Sequence, residues 1–528
     1  MRKKLYFWLC LFLSGFILSP TLWFGFTMDQ ALCHYAVWVW KEYHLPPYLG
    51  VWDLSFPGIF LLHRLILEVF GESILGFRLF DFLVQLSLVV MLYYLAGKLF
   101  RSSWAGFFSG IIYSLYYLSG GALETGEREG FVLWLLVFSV LIFLWLGKRF
   151  WAKAVLAGVI LGFAFLLKPS YALSWLVFGF WLLSEKWRES RKSALLLVLV
   201  FLGFCLLDYF LVVLYYLWQG GLKEFFRATI LFNLEVYTRL GHLSASPFQS
   251  RLFSSLYFLL FPHPVFFLLG IFGIFSAGAG SLNSRTRELF WVLLALALVG
   301  LVSYFFQGKY FPYHLIPFFG FWAVFAGWGL VKLGFGVRSR IFCWAIYLGV
   351  ILLMIFRIPL SVLDFALKNS FQSLDSAYAY GKSFDARHYR ASKALRKIIP
   401  QEAQIEFFGW HPLLPYLLKK KLPSRFCVVY HLLMGAGENQ LSSLQRNWIE
   451  EYTQSVIKAG PEFFLLADYV PGWRVFKLPS PSLKQALKQY FPKLERFLAQ
   501  NYQFLGQVED IEVYQLKPKN SPGGEVSN

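Results

Sequence analysis

Residues 24–60 read FGFTMDQALCHYAVWVWKEYHLPPYLGVWDLSFPGIF. They follow an apolar run that starts at residue 5, and their first charge is a single carboxylate, Asp29. The run before it is long enough to cross a hydrocarbon core of roughly 30 Å. Asp29 therefore falls where a membrane helix would emerge into water. The run follows Arg2, Lys3 and Lys4 and lacks a small-residue cleavage site, so it reads as an uncleaved signal-anchor. Two questions follow from this stretch: what the acid is for, and why an aromatic-rich segment intervenes before the chain turns apolar again.

Working outward, comparable runs recur near 78–97, 104–119, 131–147, 154–167, 171–184, 194–218, 252–276, 288–306, 313–331 and 341–358. With the first, they give about eleven crossings. The pair at 154–167 and 171–184 is short and interrupted by Lys168-Pro169. Composition agrees: 58% of the 528 residues are hydrophobic, 20% aromatic and 15% charged, and the mean hydropathy is +0.55. A water-soluble globule has no use for so much apolar surface, so lipid is the solvent.

The net charge of +19 invites a nucleic-acid reading, but its distribution argues against one. Basic residues gather in alternate loops: Arg2 to Lys4, Lys98 with Arg101, Lys148 to Lys153, Lys186 to Lys192, Arg285 with Arg287, and Lys332 to Arg340. Cytoplasmic loops carry such an excess. The remaining loops (26–77, 120–130, 219–251, 307–312) and everything after 359 then face outward. A change of composition near 365 divides the chain into a membrane domain, 1–364, and an α/β domain, 365–518, with a disordered polar tail over 519–528. In the α/β domain IEFFGW, RFCVVY and EFFLLAD read as strands. HPLLPYLLKKK, NWIEEYTQSVIKAG and LKQALKQYFPKLERFLAQNY read as helices, and the closing YQFLGQVEDIEVYQLK as a hairpin. The five cysteines show no metal-type spacing, and there is no D-x-D pair; no metal and no cofactor are expected.

Asp29 opens a second helix, with Leu32, Tyr35, Ala36, Val39 and Tyr43 at helical spacing and Trp38 and Trp40 beside them, a pattern suited to the membrane interface. Asp29 falls at its N-cap or first turn, where capping alone accounts for an acid. Other outward loops add ionisable groups: Glu124, Glu127, Arg128 and Glu129 in GGALETGEREGF, Lys168 in LLKPSYAL, and Lys309 and His314 in QGKYFPYHLIP. Singly, these are snorkelling lysines or solvated acids. Jointly, they place acids and bases on one side of the membrane, where ionisable groups are costly and usually functional. Cations there suit a phosphate headgroup whose tail stays in lipid. A carboxylate suits proton removal from an attacking hydroxyl, and the cations suit a phosphate leaving group.

These residues resemble the polyprenyl-phosphate-sugar-dependent glycosyltransferases of the C-type membrane fold, related to protein O-mannosyltransferases and lipid A aminoarabinose transferases. The resemblance spans the chain. It rests on MDQALCHYA, VWDLSFPGIFLLHRL, GEREG, LLKPS, QGKYFPYHLIP and GWHPLLPYLLKKKLPSRF, in that order. It implies Asp29 as catalytic base, assisted by Glu129 or, second, Glu127. Arg128, Lys168, Lys309 and His314 would contact the donor phosphate or its sugar. Asp53 would join the binding set, with loop capping as the plain alternative. Where relatives often carry Lys-Pro-Pro-Gly, this chain has Ser55-Phe56-Pro57-Gly58, so another cation must compensate.

The expectation is an inverting glycosyltransferase of a bacterial inner membrane, with its C-terminal domain extracytoplasmic. It would move a sugar from a polyprenyl phosphate to a lipid, glycan or protein acceptor. Membrane lipids are its surroundings, and nucleic acid is not a partner. The alternatives are a polytopic transporter or lipid-linked-oligosaccharide flippase, and a catalytically inactive relative. Transporters usually place ionisable groups at mid-membrane in two related halves, and no half-repeat is visible here.

Overall fold

The structure is a computed structural model that describes residues 2–240, 253, 256–257, 259–260, 263–277, 283–335, 339–356, 358–369, 372–381, 383–439 and 441–518. The expected polar tail, residues 241–251 of the 219–251 loop, and residues 252, 254–255, 258 and 261–262 of the 252–276 run lie outside the described residues. The chain divides into two compact units. The first comprises 1–25, 55–222 and 242–377; the second comprises 26–54, 223–241 and 378–528.

The first unit is helical. Among the described residues, seven helices are long and apolar enough to cross a membrane: Lys4–Trp23, Ile74–Phe100, Arg128–Trp145, Phe150–Leu167, Arg191–Trp218, Thr286–Gln307 and Pro312–Gly334. The helices Ile341–Ile355 and Leu360–Asn369 meet at 92° and make an eighth if counted as one broken span. The other expected crossings carry shorter helices: Ser103–Ser119, Leu173–Lys186 and Pro264–Ala277. This is a multi-pass membrane protein.

Two local causes shape this unit. Pro169 lacks an N–H and pushes the residue before it out of the helical region. Lys168 accordingly ends its helix with an extended backbone, φ −156° and ψ 108°. Helices in lipid also approach closely through small residues. A Cβ on Gly273 would stand 1.9 Å from the Phe325 carbonyl oxygen, and one on Gly329 would stand 2.2 Å from that of Leu269. The Pro264–Ala277 and Ile316–Phe335 helices thus pack backbone to backbone.

The second unit is built on one four-stranded sheet, ordered β1 (Ile405–Phe408), β2 (Phe463–Ala467), β4 (Ile511–Leu516), β3 (Tyr502–Val508). β1 and β2 are parallel, and the β3–β4 hairpin joins antiparallel. The amphipathic helix Ser443–Ala459 has a Ser442 capping box at its start and Gly460, at φ 53°, at its end. IEFFGW and EFFLLAD are strands as expected. RFCVVY is not: it runs irregularly into a short Tyr430–Leu433 helix. Cys427, Val428 and Val429 are nonetheless buried, and a short buried apolar run reads alike for strand and coil.

The 26–54 segment belongs to this unit, which corrects two expectations. The Met28–Tyr43 helix is not an interfacial one, because its residues from Gln30 to Val39 are all buried. The Tyr35 hydroxyl accepts from the Leu422 N–H at 2.9 Å and donates to the Lys420 carbonyl at 3.2 Å. The boundary near 365 also shifts, since the unit gathers three stretches of chain. Arg425 is one reason: it pairs with Glu224 at 2.8 Å and Glu451 at 2.7 Å, and donates to the Tyr48 carbonyl at 2.9 Å. Trp52 is another, with its ring centroid 4.8 Å from Trp448 and 5.0 Å from Phe232. Among the described residues no disulfide joins any of the cysteines.

Candidate active site

In the first unit, the Arg128–Trp145 helix opens with the GEREG residues. Glu127 is the N-cap, extended at φ −85° and ψ 159°. Glu127 and Glu129 therefore sit at a helix N-terminus, whose dipole favours anions. Glu129 is fully buried and pairs with Lys168. His314 Nε2 lies 3.5 Å from the same carboxylate oxygen. Lys168 comes from the end of the Phe150–Leu167 helix, at the break that Pro169 imposes, and sits 6.0 Å from the centre of the Tyr313 ring. His314 is presented by the short Pro312–Leu315 turn, and Lys309, Lys168 and Arg128 all act on it electrostatically. Glu127 and Arg128 likewise act on Lys168. Six residues expected from sequence thus come together: Glu127, Arg128, Glu129, Lys168, Lys309 and His314.

The arrangement separates two duties. A buried carboxylate must be paired, and Lys168 supplies the pairing for Glu129. The Glu129 carboxylate is thereby committed to holding a cation. Arg128 Nη1 instead donates to Ser55 Oγ at 3.1 Å. An arginine fork therefore borders Ser55, and Phe56 turns away into an aromatic cluster, 6.0 Å from Phe165 and 6.5 Å from Tyr209. Glu124, in the loop ahead of this helix, is pushed up to about 8 by burial and is protonated near neutrality.

In the second unit, Asp29 lies in the first turn of the Met28–Tyr43 helix but does not cap it. Thr27 is the cap: its side chain accepts from the Gln30 N–H at 3.4 Å, and Gln30 Oε1 accepts from the Thr27 N–H at 3.3 Å. This reciprocal box was legible in T-M-D-Q and removes capping as the reason for the acid. Asp53 is buried, 3% exposed. Sequence reasoning missed Tyr430, whose hydroxyl is 3.6 Å from Met28 Sδ. Burial, then the Asp29 carboxylate, Tyr237 and Asp53 push the Tyr430 phenol well above its usual range. No cluster of three or more His, Cys, Asp or Glu placed to hold a metal occurs among the described residues.

The model of the dolichyl-phosphate-mannose-protein mannosyltransferase family matches residues 55–216. No curated protein matches the chain in sequence. Among solved structures, apo ArnT from Cupriavidus metallidurans superposes with a TM-score of 0.58 at 13% identity, covering 98% of this chain and all (100%) of that one. The fold is that of the C-type membrane glycosyltransferases. ArnT bound to undecaprenyl phosphate gives 0.56 at 14% identity, over 97% of this chain and 99% of that one. The archaeal oligosaccharyltransferase AglB from Archaeoglobus fulgidus, in complex with an inhibitory peptide and a dolichol-phosphate, gives 0.52 at 13% identity, over 98% and 75%. The C-type likeness extends over both units of this chain.

Proposed function

We propose that the protein is a membrane glycosyltransferase that moves a sugar from a polyprenyl-phosphate carrier to a hydroxyl-bearing acceptor at the outer membrane face. The observation that carries this reading is the cluster of Arg128, Lys168, Lys309 and His314 at the ends of apolar helices, gathered around the buried Glu129. Arg128 and Lys309 are the cations that receive the donor phosphate, Arg128 by its planar fork and Lys309 as a point charge. Glu129 positions Lys168 and His314. A groove of about 820 Å³ supports a lipid tail. Leu173, Val177, Phe180, Leu298 and Val302 line it, and at the Val302 end the Ser170 and Ser303 hydroxyls share a hydrogen bond of 2.7 Å, two residues along the chain from Lys168.

Asp29 takes the proton of the acceptor hydroxyl, the oxygen attacks the anomeric carbon, and the bond from that carbon to the phosphate oxygen breaks. The charge that develops on the departing polyprenyl phosphate is held by fixed cations, and attack opposite the leaving group inverts the centre. Binding of undecaprenyl phosphate to the purified protein, followed by native mass spectrometry against uncharged undecaprenol, tests the donor class. The phosphate should bind in preference to the alcohol, and the Arg128→Gln/Lys309→Met double variant should lose that preference. Equal retention of both lipids by the unaltered protein would overturn the phosphate assignment.

A further inference from the structure

Two buried charges stand apart from the site just described. Arg78 and Asp81 lie in the membrane span Ile74–Phe100, and neither has any exposed surface. The Arg78 guanidinium is spread over two distant stretches of chain. Its Nε donates to the Phe24 carbonyl at 3.1 Å and its Nη2 donates to the Gly25 carbonyl. Its Nη1 donates to the Thr125 carbonyl at 3.1 Å and to Thr125 Oγ1 at 3.3 Å. Asp81 works from the other side. It accepts from the Tyr117 hydroxyl at 2.8 Å and from Gln85 Nε2 at 3.0 Å, and the Tyr117 oxygen accepts the Gly126 N–H at 2.7 Å.

Thr125 and Gly126 are therefore gripped from both flanks. Gly126 has φ +75°, and a Cβ there would meet Phe77 Cε1 at 2.8 Å and Arg78 Nη1 at 3.0 Å, so only glycine fits. The grip falls at two informative places in the chain. Gly126 directly precedes Glu127-Arg128-Glu129, and Gly25 precedes Asp29 by four residues. Buried charges cost free energy in a membrane, and a fork-shaped cation satisfied by several carbonyls is a recognised way to fix backbone geometry.

We propose that Arg78 and Asp81 are positioning residues that set the Thr125–Gly126 turn and the Phe24–Gly25 exit, and so aim the Glu127–Glu129 residues. The catalytic part of this inference rests on the function proposed above; the grip itself does not. Lysine at 78 keeps the charge but is a single point that cannot serve residues 24–25 and 125 at once.

Full-length Arg78→Lys and Gly126→Ala, in bilayer discs, separate the two. Hydrogen exchange should rise about tenfold or more at residues 24–27 and 125–128, with the Arg191–Trp218 helix unchanged. Turnover should fall about 10- to 100-fold while the KM for the polyprenyl-phosphate sugar moves far less, since misplacement costs orientation more than binding. Gly126→Ala leaves both buried charges in place and gives the same pattern even if Arg78→Lys does not accumulate folded. Unaltered exchange at both segments overturns the grip, whatever the reaction is. Loosened segments with unaltered turnover overturn the positioning role. Failure of the functional reading shows separately, as an Asp29→Asn variant with full activity.

Discussion

Asp29 occupies a helix whose cap is already filled by Thr27, so replacing it tests chemistry with little structural penalty. Asp29→Asn should leave a folded, membrane-inserted protein with transfer slowed by about 10²–10⁴, the usual contribution of a general base. Activity near that of the unaltered enzyme would return Asp29 to a passive first-turn acid. Lys309→Met should act differently. A hydrogen bond to a charged group contributes roughly 1.5–3 kcal/mol, so the loss should be about tenfold to a few hundredfold, seen chiefly as a weaker dependence on donor concentration. Lys168→Met should cost stability as well as activity, because it removes the lysine that pairs with the buried Glu129 carboxylate, a change of up to about 3–5 kcal/mol. A thermal midpoint unchanged by that substitution would show that Glu129 finds another partner. At this scale the candidate acids and cations stand out because they fall in short polar stretches between long apolar runs, as in GEREG, LLKPS and QGKYF. Arg78 and Asp81 were passed over, since they were counted as the start of a span. Tyr430 gave no signal, as an aromatic in an aromatic-rich chain.

Among the elements, β1 carries an unusual residue. Glu406 is fully buried, accepts from the Tyr452 hydroxyl at 2.9 Å, and is pushed up to about 8 by desolvation. Between its ordinary value near 4.5 and about 8, the folded state holds a proton that the unfolded state lacks. Stability from this group therefore falls as pH rises through that window, by at most about 1.4 kcal/mol per pH unit. His34 and His431, both lowered to about 3 by burial, act below pH 6.5 and in the opposite sense, losing stability as pH falls. Unfolding midpoints between pH 6.5 and 8 should thus decline in the unaltered protein, and Glu406→Gln should flatten the decline. An equal slope in both would mean that Glu406 is ionised in the fold. Helix ends were readable where the chemistry is local, as at Gly460 and Lys168-Pro169. RFCVVY was not, because whether a buried run pairs in a sheet depends on neighbours far away in sequence.

For the whole molecule, hydropathy made the membrane helices legible, and the division into two units was hidden. Nothing local in residues 26–54 or 223–241 announces that they join residues 378–528; long-range contacts of Arg425 and Trp52 do that. The distribution of basic loops predicts residues 30–75 and 380–510 outside and 186–192 inside, which cysteine labelling with an impermeant reagent tests. A cytoplasmic 380–510 region would remove the outward-facing reaction. The central claim is transfer from a polyprenyl phosphate, and donor turnover tests it most directly. The protein in bilayer discs, supplied with a set of undecaprenyl-phosphate monosaccharides and outer-face membrane extract as acceptor, should consume at least one donor and release undecaprenyl phosphate, with Asp29→Asn slowed about 10²–10⁴. Release at the same rate from the Asp29→Asn protein, or no donor consumed while the lipid phosphate still binds, would contradict the account.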